Sequence, residues 1–106
     1  MLETISRLAL YPGLLHGFST RQGGVSAPPH ASLNMAYARP DDPAAVQENR
    51  RRFAAALGFD LNAVVIAGQV HGTTVRRASA VDKGRGAYGA NTVLPPADAL
   101  ITNHPG

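Results

Sequence analysis

The chain has 106 residues, a length that fits one small domain, and chains of this size bury roughly two-thirds of the surface they would expose unfolded. Hydrophobic residues make up 44% and charged residues 16%, which excludes a disordered chain, and the absence of cysteine excludes disulfides, thiolate catalysis and Cys-based zinc sites within these residues. The net charge of +3 could favour an anionic ligand but is too small and dispersed to predict nucleic-acid binding.

From the N-terminus, residues 4–10 are mixed in period and predict a weak strand. Tyr11-Pro12-Gly13 reads as a turn, and Leu14 to Thr20 as a second short strand. Gln22-Gly23-Gly24 breaks that strand, because paired glycines permit the positive φ angles of tight turns. Residues 26–31 predict an extended loop. The clearest element spans 43–57: Asp42 suits the N-cap, Pro43 the first helical position, and Gly58 the C-terminal stop. Val46, Phe53 and Leu57 share one face of this helix, and Glu48 and Arg52 form an i,i+4 pair. Arg50-Arg51-Arg52, the one dense basic run, reads as helix surface, and no interleaved aromatics support base stacking.

Residues 63–68 then predict a buried strand, and Thr73 to Ala78 a second, with His71-Gly72 at the bend between them. The Gly-rich stretch 82–92 predicts a mobile loop, Ala97 to Thr102 a last strand, and Asn103 to Gly106 a turn. Neither a secretory leader nor a stretch long enough to span a membrane is visible, so a soluble cytoplasmic protein with no membrane partner is expected.

Several positions carry possible chemistry. His71, at a strand end beside a glycine, could be a metal ligand, a general base or a histidine satisfied within the core. Ser19-Thr20-Arg21 before the Gly-Gly turn offers a guanidinium and hydroxyls for an anion, although a hairpin turn with a surface arginine explains the same residues. Asn34 could bind a ligand through its amide or stabilise a turn, the commoner use of such a residue. Asp41-Asp42 could be paired carboxylates, but capping the helix is a sufficient role for Asp42. Gly84 to Gly89 lacks the preceding strand and following helix of a nucleotide loop and reads as flexible surface.

Taken in order, HGFSTRQGGVS (16–26), SLNM (32–35), DDPAAVQENRRRFAAALG (41–58), QVHG (69–72) and ADALITNHPG (97–106) resemble the YfiH-like family, long labelled multicopper polyphenol oxidase or laccase-domain protein. The resemblance covers nearly the whole chain. It implies an α+β fold of mixed β-sheets with flanking helices, similar to that of cytotoxic necrotizing factor toxins, with residues 1–106 as the N-terminal portion of a single domain. It also implies a purine nucleoside phosphorylase acting on adenosine, inosine or methylthioadenosine with phosphate, together with adenosine deaminase activity.

In the family, zinc is held by a His of the Gln-Val-His segment, a Cys of a later Ala-Asp-Cys strand and a His of a later His-Ala-Gly-Trp-Arg segment. Carried over, His71 is the first ligand and a catalytic residue, and the other two have no counterpart here. Arg21, Asn34 and Ser19 fall on segments near the nucleoside pocket, and Gln69 helps to shape it. The chain therefore resembles a truncated member. The Ala-Asp-Cys strand is expected within about twenty residues after Gly106. By itself the fragment is expected to be inactive, to hold no stoichiometric zinc and to expose strand edges that favour association. The alternatives are a copper-dependent polyphenol oxidase, as the older label suggests, and an amide hydrolase editing peptidoglycan precursors.

Overall fold

The computed structural model describes residues 1–105, and Gly106, the end of the turn expected at 103–106, lies outside them. Among the described residues the architecture is α+β, with small sheets and a single α-helix, and it divides into two compact units, Met1–Asp60 and a second that begins at Leu61.

In the first unit, strand β1 (Leu2–Glu3) pairs antiparallel with β2 (Phe18–Ser19), Leu2 facing Ser19 and Glu3 facing Phe18. The strand expected over 4–10 is instead a tight 3₁₀ turn at Leu8–Leu10, and that expected over 14–20 shrinks to the two residues of β2. Apolar residues in these segments remain outside the core: Leu10, Leu14, Leu15 and Phe18 are all exposed, so neither stretch has a buried face to enforce a long strand.

Helix α1 runs over Pro43–Leu57 as its end signals dictate. The Asp42 side chain accepts the Ala44 N–H at 2.9 Å, and Gly58 ends the helix at φ +88° with its N–H on the Ala54 carbonyl. Val46, Asn49 and Ala54 are its buried residues, with Phe53 half-buried and meeting Phe59 edge-on at 6.2 Å. The basic run is committed to the protein itself. Arg50 donates to the Met35 carbonyl and lies 4.5 Å over the Tyr37 ring, while Arg51 and Arg52 pair with Glu48 at 2.7 and 2.8 Å. Those two guanidiniums hold the Glu48 carboxyl down to about 2.

In the second unit, Leu61–Ala63 forms a 3₁₀ turn, and the strand expected over 63–68 starts only at β3 (Ala67–Gln69). Strand β4 covers Val75–Arg77, β6 (Ala99–Ile101) falls within the last expected strand, and β5 (Leu94–Ala97) precedes it but for Ala97. β3 pairs parallel with β5, and β4 pairs parallel with β6. Parallel neighbours require a long crossover, and residues 78–93 supply it. The stretch expected to be a mobile loop is thus the packed return limb. Gly86 and Ala87 are buried, the Arg85 carbonyl accepts the Ile66 N–H, and the Arg85 guanidinium donates to the Thr92 and Val93 carbonyls. Ala78, Ala87, Leu94 and Ala97 form the buried apolar centre of this unit.

Candidate functional site

In the first unit the segment carrying Ser19 and Arg21 lies beside the segment carrying Asn34. The Arg21 carbonyl accepts both the Ser32 and the Leu33 N–H at 2.9 Å. Ser19 is exposed on β2, and the Arg21 guanidinium is exposed with one long hydrogen bond, 3.3 Å to the Ala31 carbonyl. Four of its five N–H donors thus have no partner among the described residues. Asn34 is engaged differently: its Oδ1 accepts the Ala36 N–H at 3.0 Å and its Nδ2 donates to Asp41 Oδ2 at 2.9 Å. That is the turn-stabilising arrangement.

The centre of this arrangement is a set of residues that are inconspicuous in the sequence. Asn49 is fully buried on α1, donates from Nδ2 to Ser26 Oγ and to the Asn34 carbonyl at 2.8 Å each, and accepts the Val25 N–H at 2.7 Å. Ser26 in turn donates to Asp41 Oδ2 at 2.7 Å. The hydrogen bonds from Asn34 and Ser26 hold the Asp41 carboxyl below its ordinary value. Gly24 is part of the same join: a Cβ there would overlap the Ser32 carbonyl oxygen and come within 2.5 Å of Asn49 Oδ1. The side-chain bonds of this network span 7 to 24 residues, and a polar residue on a helix face gives no local sign of them.

The second unit contains Gln69 and His71. Gln69 ends β3 opposite Ala97, and the next paired residue, Val75, stands opposite Ala99. Residues 70–74 thus form the loop between β3 and β4, while Asp98 alone joins β5 to β6. Gln69 and His71 are both exposed there, and the His71 ring makes no hydrogen bond to the described residues. Asp98 closes the gap: Oδ1 accepts the Gly72 N–H at 2.6 Å, Oδ2 accepts the Thr74 N–H at 2.8 Å, and the Asp98 N–H donates to the Thr74 carbonyl at 2.8 Å. Sequence reasoning missed Asp98, whose one available signal was a lone charge inside the apolar run Ala97-Asp98-Ala99-Leu100-Ile101.

The other histidines are placed elsewhere or used structurally. His16 Nε2 lies 3.0 Å from the Ile5 nitrogen and 2.9 Å from the Ile5 oxygen. His104 borders an apolar surface cavity of about 390 Å³ that none of the candidate site residues lines. Among the described residues, no three His, Cys, Asp or Glu side chains come together as metal donors, and no helix is long and apolar enough to cross a membrane.

The chain matches the model of a family described as multi-copper polyphenol oxidoreductase laccase over residues 15–106. It is 40% identical over 96 residues to the purine nucleoside phosphorylase YlmD of Geobacillus stearothermophilus, a match covering 91% of this chain and 35% of that protein. The crystal structure of YlmD from that organism has a TM-score of 0.79 and 41% identity, over 83% of this chain and 33% of the other. The purine nucleoside phosphorylase ORF3 of Streptomyces griseus is 45% identical over 97 residues, 91% of this chain and 37% of its own length. A Bacillus licheniformis hypothetical protein, YfiH, has a solved structure with a TM-score of 0.79 and 35% identity, over 83% of this chain and 33% of that one. The chain thus spans about a third of the length of the curated relatives it matches.

Proposed function

We propose, since the chain belongs to the multi-copper polyphenol oxidoreductase laccase family, that it is part of a purine nucleoside phosphorylase, and that residues 1–106 are the N-terminal portion of one YfiH-like domain. The observation that carries this reading is the 40–45% identity to proteins named purine nucleoside phosphorylase over nine-tenths of the chain. The reaction joins a phosphate oxygen to C1′ of the nucleoside as the C1′–N9 bond breaks. The bonding pair leaves with the base, which takes up a proton.

The residues support particular roles in it. Arg21, with most of its donors available, binds the phosphate anion. Ser19 and the Asn34 segment beside it contact the nucleoside, and Gln69 shapes the pocket next to His71. His71 is exposed and unpaired on a turn fixed at its base, as a group that acts on a ligand needs to be. Adenosine deamination, in which the oxygen of a water bonds to purine C6 as the C6–N bond breaks and ammonia leaves, is proposed as a second activity of the same protein.

His71 is also proposed as the first of three zinc ligands in the whole protein. A single imidazole does not fit a resident zinc by itself, because such a site takes three protein ligands. Copper, with phenols as substrates, is the alternative that the family description suggests.

The test is chromatography of adenosine or inosine incubated with phosphate and purified, zinc-replete full-length protein. Free base and ribose 1-phosphate are the expected products. Absence of both phosphorolysis and deamination overturns the reading, and oxidation of a phenol by the copper-loaded protein favours the alternative.

A further inference from the structure

The loop that carries His71 has a feature that the proposed reaction does not use. Five residues, 70–74, join β3 to β4 where Asp98 alone joins β5 to β6, and a loop of that length would ordinarily leave its backbone N–H groups to water. Here two of them are satisfied by one side chain. Asp98 Oδ1 takes the Gly72 N–H at 2.6 Å and Oδ2 takes the Thr74 N–H at 2.8 Å, while the Asp98 backbone N–H returns a bond to the Thr74 carbonyl at 2.8 Å. The two carboxylate oxygens are used separately, one for each N–H, so the group acts as a clamp with a fixed span. His71 is the residue immediately before the first clamped N–H.

We propose that Asp98 is a positioning residue for His71: by fixing the backbone of Gly72 and Thr74 it sets where the imidazole stands. The inference rests on the reading that His71 acts in the proposed reaction. It predicts a specific chemical sensitivity. Asparagine has the shape of aspartate but one acceptor oxygen, so Asp98→Asn turns an N–H donor toward an amide N–H₂ at one of the two positions. Charge-assisted acceptance is lost at the other.

The experiment uses the full-length protein and amide hydrogen exchange together with steady-state kinetics. In the unmodified protein, the Gly72 and Thr74 amides are expected to exchange at least about tenfold more slowly than the Thr73 amide between them, which has no partner among the described residues. This alternation needs no variant, and equal exchange at the three positions overturns the proposal. In Asp98→Asn the protection is lost at one of Gly72 and Thr74, the one left facing the amide N–H₂, and reduced at the other. The kcat for adenosine phosphorolysis then falls about 10–100-fold, with KM changed much less, as for the loss of a group that orients a catalytic side chain.

Asp82→Asn is the control. Asp82 also caps backbone in the same unit, accepting the Ser79 N–H at 2.8 Å, but away from His71, and its substitution is expected to leave kcat within about twofold. Loss of exchange protection in Asp98→Asn with kcat unchanged overturns the positioning role. If the unmodified protein catalyses no phosphorolysis while the exchange pattern is as described, the proposed function has failed and the clamp stands.

Discussion

In the N-terminal unit, Asp41 accepts hydrogen bonds from two side chains, Ser26 and Asn34, and those are tied in turn to the buried Asn49. In the C-terminal unit, Asp98 accepts from two backbone N–H groups, and the side chain next to them, His71, has no partner among the described residues. Both carboxylates organise a loop. The first network closes on itself: Asn49 uses both N–H bonds and its oxygen, and Asn34 uses both ends of its amide. The second fixes a backbone and leaves a titratable ring outward. A closed polar network holds elements together, whereas a rigid backbone beneath an unpaired side chain is the arrangement a ligand site requires.

Substitutions in the two regions should therefore separate stability from activity. The largest effect on stability is expected from Asn49→Ala, which removes the partner of the buried Ser26 hydroxyl and of the part-buried Val25 N–H and Asn34 carbonyl. A loss of about 3 kcal/mol in urea unfolding is expected. A loss under 1 kcal/mol would mean that the network is not what ties the 24–34 loop to α1.

A smaller effect concerns pH and belongs to the closed network alone. The Asp41 carboxyl is held below its ordinary value of 3.8 by Asn34 and Ser26. A carboxyl depressed in the folded state contributes stability that is present in full above its unfolded value. That contribution is lost as the pH falls through the lower folded value. Unfolding followed from pH 6 downward should thus show an acid limb that Asp41→Asn flattens. An unchanged limb would place the acid sensitivity elsewhere, Glu48 with its carboxyl near 2 being the next group to replace.

How far the sequence predicted this arrangement depended on how local each signal was. Helix α1 was legible to the residue, because Asp42, Pro43 and Gly58 act within one turn of where they stand. The strands were poorly legible. Ala63 to Ala67 is an apolar run that fits a strand, but apolar content alone does not distinguish a strand from a half-buried turn, and β3 begins only where the run ends. Residues 82–92 looked like open loop because glycines are read as breaks. Their bonds to Val64 and Ile66 come from a parallel crossover that no short window of residues reveals. His71 was visible from its place after an apolar run. Asp98 was not, since its partners lie 24 and 26 residues away.

The proposed division assigns the exposed turn at His71 to a substrate and the network around Asn49 to the fold. The most direct measurement is adenosine phosphorolysis by the His71→Ala full-length protein, taken beside its urea unfolding curve. Loss of kcat/KM by about 100-fold or more is predicted, with the stability within about 0.5 kcal/mol of the unmodified protein, because the exposed ring holds nothing else in place. Phosphorolysis at the unmodified rate in His71→Ala would contradict a catalytic role for this residue.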